Sequence, residues 1–311
     1  MADPAVLPQR QLEELAARAP ATWSLLQAGP ELMQQAQRVL TGSEFVLRAL
    51  LQDDALLGEL LAAGALHDAR TREDYDSAVA RLMAETPRVE ADLSRALRRL
   101  RRREMARIAW RDIAGLAGTE QTLREVSAFA AAVIAGATTL AADLLAARHG
   151  TVPSAEDGLV VLGMGKLGGG ELNFSSDVDL IFLFPRQGET TGPAVLALEE
   201  YYTRQGRLLI RLLDAVTEEG FVFRVDMRLR PFGDSGPLVA SFAFFEDYLQ
   251  SHGRDWERYA YVKAQALTNI CAFEPLRREV LRPFVFRRYL DFGVFDSLRE
   301  MKALISRDVA R

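Results

Sequence analysis

Residues 160–185 read VVLGMGKLGGGELNFSSDVDLIFLFP, and the reading of the fold starts from how this stretch divides. Two apolar runs, 159–162 and 178–184, carry β-branched and aromatic residues and flank a loop rich in Gly, Ser and Asn. That is strand, loop, strand. Asp177 and Asp179 stand at the start of the second run. Strand side chains alternate faces, so the two carboxylates point the same way, about 6.5 Å apart at about 3.3 Å per residue. Val178 and Leu180 then point the opposite way, into a core. Paired carboxylates on a strand end, beneath a Gly-Ser loop, suit a magnesium site that handles phosphate esters.

Gly163-Met164-Gly165-Lys166-Leu167-Gly168 matches G-x-G-x-x-G directly after a strand. A dinucleotide fold also needs a full helix there, with an acidic residue about 20 positions on. The next strand begins too soon for that helix, so the Rossmann reading fails. Gly165-Lys166 is not a P-loop either, because the Gly spacing and the residue after Lys are wrong. A different pattern remains: a Gly-rich turn, Ser176, Asp-x-Asp on a strand, then a lone acid, Asp226, on a later one. This is a nucleotidyltransferase signature. Backbone N–H groups of such a turn can bind phosphate oxygens, and glycine allows the close approach. Asp177 and Asp179 can bridge two Mg²⁺ ions about 3.5–4 Å apart, with Asp226 completing one of them.

Residues 221–228 alternate like a strand and place Arg224, Asp226 and Arg228 on one face. Arg228 is either a phosphate contact or a charge partner for Asp226. Further on, Trp256, Tyr259 and Lys263 fall at helical spacing on one side of a helix opened by Asp255. Packing against the sheet is the expectation for the two aromatics, and phosphate contact for Lys263.

The 311 residues are 49% hydrophobic and 26% charged with a net charge of −5, an ordinary globular composition with no nucleic-acid signal. A single cysteine, Cys271, excludes an internal disulfide framework, and three scattered histidines make a zinc site improbable. No secretion signal is visible, and the Ala-rich run 126–147 reads as a buried helix, not a membrane span. A cytoplasmic protein without a membrane or nucleic-acid partner is expected.

Residues 1–110 read as helices at 9–19, 31–40, 44–51, 55–63, 71–85 and from Pro87 to 110, with Ser43 offering a cap. Eight arginines between 95 and 111 form either a solvated face or a surface for phosphate or a partner. A helix follows from Thr119, its expected cap, to 148, where His149 would add charge to the C-terminal end. Another runs 194–218. From Phe242 the chain reads helical, with breaks at Gly253, Pro275, Pro283 and Gly293. The expected division is a helical subdomain at 1–115, a core at 116–240 and a helical segment at 241–311.

Three long segments, GMGKLGGGELNFSSDVDLIF, VDMRLRPFGDSGPLV and GRDWERYAYVKA, resemble the bifunctional glutamine synthetase adenylyltransferase/adenylyl-removing enzymes. The resemblance implies an α+β fold, a polymerase-β-type nucleotidyltransferase core with a small mixed sheet between helical regions. Gly168-Gly169-Gly170 and Asn173 to Asp177 are similar to the adenylyl-removing half. That half takes AMP from a tyrosine of glutamine synthetase by phosphorolysis and releases ADP, whereas the other half attaches AMP from ATP. The family's metal carboxylates fall on Asp177, Asp179 and Asp226. Around them, phosphate or nucleotide contacts are expected from Lys166, Gly168, Gly169, Gly170, Ser175, Ser176, Arg228, Arg230 and Lys263. Mg²⁺, phosphate, ADP or ATP, glutamine synthetase and the PII signal protein are the implied cofactor and partners. The family's proteins are far longer, which implies a fragment. Attachment of AMP, or a docking role without catalysis, remains open at this stage.

Overall fold

The computed structural model describes residues 7–286 and, beyond them, Asp296, Arg299, Glu300, Lys302, Ala303, Ser306 and Arg307. The expected break at Gly293 lies outside the described residues.

Five short helices come first: α1 (Leu7–Arg18), α2 (Pro20–Ala28), α3 (Pro30–Gly42), α4 (Glu44–Gln52) and α5 (Leu56–Ala62). Proline opens α2 and α3, where its missing N–H costs nothing, and the Ser43 hydroxyl caps α4 by accepting from Val46 N. Their apolar faces (Leu15, Leu26, Val39, Leu50, Leu57) close around Ala106, Ala109 and Trp110 of a longer helix. Next come α6 (Arg72–Glu85), that longer helix α7 (Glu90–Ile113) and α8 (Thr119–His149). Thr71 and Asp74 form a reciprocal capping box on α6. Several expected boundaries move, among them those of the helix expected over 194–218, which runs only over Leu198–Asp214. Helix α7 starts three residues after Pro87, and Gly118, not Thr119, occupies the cap position of α8.

The sheet has five strands: β1 (Val160–Gly163), β2 (Val178–Phe184), β3 (Val225–Asp226), β4 (Val239–Ser241) and β5 (Gln265–Ala266). A one-turn helix α9 (Gly165–Gly168) follows β1, and α10 (Leu198–Asp214) follows β2. Strand β2 is central. It pairs antiparallel with β1 along one edge, and β1 pairs antiparallel with β5. Its other edge is shared in parallel by β3, at residues 178–179, and by β4, at residues 182–184. That division corrects the long strand expected at 221–228: β3 covers only Val225 and Asp226 because β4 takes the rest of the edge. Strands β4 and β5 carry too few residues to show a period, and β5 falls in the stretch expected to be helical.

Both faces of the sheet are covered. Val178, Leu180, Phe182 and Phe184 face α8 and α10, joining Phe129, Val133, Leu209 and Leu213 in one cluster with Tyr75 and Val79 of α6. Ile181 and Leu183 point the other way, toward helices α11 (Phe242–Ser251), α12 (Asp255–Tyr261) and α13 (Ile270–Leu276), where they meet Phe245, Tyr261 and Phe273. A π-turn at Arg277–Leu281 leads into α14 (Arg282–Val285). Helix α8 is long and apolar enough to cross a bilayer by composition alone, but more than half of its most apolar window lies inside the protein. It is the core helix of this fold.

The basic helix is neither a solvated face nor a phosphate surface throughout. Arg98, Arg107 and Arg111 are at most 1% exposed. Arg98 donates to the carbonyls of Ser94, Gly220, Leu212 and Ala215, tying α7 to the end of α10. Arg107 bonds Glu104, Glu125 and the Tyr75 hydroxyl, and Arg111 bonds Glu125. His149 does not serve as a free helix-end charge either. Its Nδ1 lies 3.0 Å from the Ala194 carbonyl and its Nε2 3.1 Å from Arg204, which fastens the end of α8 to the loop before α10.

Candidate active site

Asp179 sits on the same face of β2 as Ile181 and Leu183, at the end of the strand where the apolar cluster gives out. Its register partner on β3 is Asp226, so two carboxylates stand side by side on neighbouring parallel strands. The Gly-rich turn leans over Asp179. A Cβ built on Gly165 would lie 2.8 Å from Asp179 Oδ2, and the positive φ of Gly165 (+54°) also favours glycine there.

The electrostatics separate the two acids. Burial raises the pKa of Asp179, the charges of Asp226 and then Asp177 add to this, and Arg228 and Lys166 offset part of it. The Arg228 side chain holds Asp226 below the usual range, against the pull of burial. Arg228 grips Asp226 through Nε at 2.8 Å and Nη2 at 2.5 Å. Neighbouring carboxylates with opposed shifts mark a functional site more often than a structural one.

Asp177 precedes β2 and turns to Arg224, whose Nε lies 2.5 Å from Asp177 Oδ1 while Nη2 donates to the Ser175 carbonyl at 2.7 Å. Lys166 donates to Ser176 Oγ at 3.3 Å, and Ser176 Oγ donates to Asn173 Oδ1 at 2.6 Å. Among the described residues, no three Asp, Glu, His or Cys side chains come together as a ready metal cage. The donor chemistry of the Asp179–Asp226 pair nevertheless fits a hard divalent cation, because two carboxylates on adjacent strands offer it hard oxygen donors side by side. Asp177 is one strand position pair away from Asp179, held by Arg224.

Other expected contacts lie elsewhere. The N–H groups of Gly168, Gly169 and Gly170 donate to the carbonyls of Met164, Gly165 and Leu167, closing the turn, so they do not cradle phosphate in this arrangement. Gly168 is needed for a different reason: its Cβ would meet the Lys263 carbonyl oxygen at 2.0 Å. Lys263 itself pairs with Glu171 at 2.6 Å, across the turn. Ser175 is exposed, with its hydroxyl 3.5 Å from Asn173 Oδ1. Trp256 and Tyr259, expected to pack on the sheet, are 42% and 58% exposed. The phase explains the difference, since α12 buries Glu257 and Tyr261, four residues apart, and turns Trp256 and Tyr259 outward. Helix α12 is capped through Glu257, whose carboxylate accepts from Arg254 N, not by Asp255.

Beside Asp226, a cleft of about 360 Å³ is lined by Arg228, Arg230, Arg254, Phe232 and Trp256. Arg230 donates to the Met227 carbonyl at 2.8 Å and lies 3.2 Å from Asp234. Phe232 is held at φ +60°, rare for a bulky residue, with its ring 4.7 Å from Tyr248 and 5.1 Å from His252. Arg224, Asn173, Phe232 and Arg254 were not among the expected site residues. The alternation through Arg224, Asp226 and Arg228 was the signal for the first, and the other three lie inside the segments that carry the family resemblance.

A small mixed sheet that sets acidic side chains on adjacent strand ends, with arginines around them and a glycine turn above, defines a site suited to charged phosphate esters. The family model for glutamate-ammonia ligase adenylyltransferase matches residues 33–275. This chain belongs to that family. It is 51% identical over 279 residues to the bifunctional glutamine synthetase adenylyltransferase/adenylyl-removing enzyme of Thioalkalivibrio sulfidiphilus, a match covering 88% of this chain and 28% of the relative. The enzymes of the same description from Nitrosococcus oceani and Shewanella oneidensis are 47% and 45% identical, over 86% and 89% of this chain and 28% and 29% of the relatives. The chain therefore spans under a third of the length of the curated relatives it matches.

Proposed function

We propose that this chain is a nucleotidyltransferase unit with a polymerase-β-type core, which removes AMP from an adenylylated tyrosine of glutamine synthetase by phosphorolysis and releases ADP. The observation that carries the reading is the Asp179–Asp226 pair on adjacent parallel strands under the Gly165 turn. Family membership and the names of the relatives supply the substrate. The form of the loop, three glycines followed by Asn173 to Asp177, favours removal over attachment.

In this reading a phosphate oxygen attacks the phosphorus of the tyrosyl-AMP diester. The new P–O–P bond makes ADP, the P–O bond to tyrosine breaks, and the phenolate takes a proton from solvent. A phenol with a pKa near 10 leaves without a dedicated acid. Mg²⁺, held by Asp179 and Asp226 with Asp177 in reach, would supply charge neutralisation at the reacting phosphoryl group. Arg228, anchored on Asp226, places a planar cation at the rim where phosphate enters. Lys166 holds Ser176 and the loop over the carboxylates. The cytoplasm is the compartment where such a substrate resides, and PII would act through parts of the longer relatives that this chain does not span.

Glutamine synthetase carrying labelled AMP, incubated with this chain, Mg²⁺ and phosphate, tests the reading. The expected outcome is phosphate-dependent release of labelled ADP that Asp177→Asn abolishes. Transfer of label from ATP to unmodified synthetase would reverse the direction, and neither reaction would leave the chain a docking piece.

A further inference from the structure

A second cavity, of about 350 Å³, opens at the seam between the first helices and the sheet. Its walls are Phe45 of α4, Met105 and Ile113 of α7, and Phe174 and Ser175 of the loop before β2, with Arg101 of α7 among them. Arg101 is the one cation in the lining and has no carboxylate partner among the described residues. Its guanidinium carbon lies 5.2 Å from the Phe45 ring centroid and 5.0 Å from that of Phe221, and its Nε donates to the Val222 carbonyl at 3.1 Å. The ring contacts and this one bond leave the two Nη groups without a hydrogen-bond acceptor among the described residues. The charge that acts on Arg101 is a like charge, Arg224; burial first and Arg224 second pull its pKa down to about 10. Asp112, the one carboxylate in the lining, is engaged by the Thr122 hydroxyl at 2.8 Å.

A cation in an apolar cavity, repelled by its charged neighbour and with N–H groups to spare, is half of an ion pair. We propose that this cavity binds a small organic anion, a carboxylate or phosphate on a compact apolar body. The anionic head meets the Arg101 Nη groups and the body lies among Phe45, Met105, Ile113 and Phe174. Ser175 links the cavity to the carboxylate site, because its carbonyl and Asp177 are held by the same Arg224. A bound anion would thus touch the helical body and the loop that carries Asp177 at once. The proposal does not depend on the direction or nature of the reaction, and its test involves no turnover.

The probes are phenylacetate, phenyl phosphate and neutral phenylacetamide, titrated into the whole chain while the Met105 methyl resonance is followed. A saturable shift with either acid and none with the amide is expected, and the tighter acid names the head group. Binding should weaken about tenfold or more in Arg101→Met, which keeps the apolar stem. Ile113→Trp, which fills the cavity and leaves Arg101 in place, should abolish it, and this variant decides the matter if Arg101→Met fails to fold. No shift with either acid, an equal shift with the amide, or unchanged affinity in Ile113→Trp overturns the proposal.

Discussion

Where α7 meets α8, Arg107 and Arg111 face Glu104 and Glu125, and all four side chains are at most 2% exposed. At the start of β2, Asp177 and Asp226 face Arg224 and Arg228, whose side chains are 56% and 76% exposed, while Asp179 accepts a hydrogen bond from neither. Both clusters set arginines against carboxylates, and the accounting differs. In the first cluster nearly every donor is matched: Arg107 also reaches the Ala65 and Asp68 carbonyls, and Arg111 the Leu66 carbonyl. Such a cluster holds elements together and has no valence left for a ligand. In the second, Asp177 and Asp226 take the two arginines, which can swing into solvent, and Asp179, its burial and carboxylate neighbours only partly offset by Arg228 and Lys166, is left with a raised pKa. Unbalanced charge near the surface is what a site needs if a cation and a phosphate ester are to complete it.

The comparison breaks most visibly at Arg107. Arg107→Met leaves Glu104 and Glu125 short of a partner in a place water does not reach, which should cost about 3–5 kcal/mol of stability. Urea unfolding measures this as a lowered midpoint. A variant that unfolds like the parent would mean that the α7–α8 cluster is not the structural one.

Asp179→Asn tests the other side. Removing this carboxylate should lower ADP release from adenylylated glutamine synthetase by at least about 100-fold, the scale of a lost electrostatic contributor at a reacting centre. Its melting temperature should hold or rise, since the substitution relieves the repulsion from Asp226 and Asp177. A loss of stability like that of Arg107→Met would place Asp179 with the structural charges.

How far the sequence showed this contrast depends on the range of each interaction. The limits of β2 follow from a local apolar run and the sidedness of Asp179 against Val178 and Leu180 from a period of two, and the structure agrees with both. The burial of Arg98, Arg107 and Arg111 depends on acceptors 14 to 122 residues away, including Glu125 and the carbonyls of Leu212 and Gly220, which no window on α7 contains. Trp256 and Tyr259 failed for a related reason. A seven-residue helix can present either stripe inward, and contacts from outside it, Tyr248 bonding Glu257 and Phe245 packing on Tyr261, select the one that is buried. The glycines were recognised as necessary, but the close neighbour is the Lys263 main chain, far away in sequence.

That last point yields a smaller effect. A methyl group at Gly168 would press on the Lys263 and Gly163 carbonyl oxygens at 2.0 and 2.4 Å, and neither atom belongs to a flexible side chain. Gly168→Ala should cost about 1–3 kcal/mol as the turn shifts, and ADP release should fall because Gly165 lies against Asp179. If activity falls with no loss of stability, the turn is a ligand-binding element after all.

Between the two extremes lies Glu219, which takes Arg102 at 2.5 Å and Arg99 at 3.1 Å on the open half of α7. The Arg102 hydrogen bond, against burial and with help from Arg99, holds its carboxyl below the usual range. A depressed carboxylate contributes stability above its unfolded value, near 4.5, and loses it as pH falls through the folded value. Glu219→Gln should therefore cost no more than about 1 kcal/mol at neutral pH, because solvent and salt screen a partly exposed pair. The difference from the parent should shrink in high salt and close as pH falls through the depressed folded value. A larger, salt-independent loss would group Glu219 with Glu104 and Glu125, and the boundary between matched and open charge on α7 would have to move outward to include it.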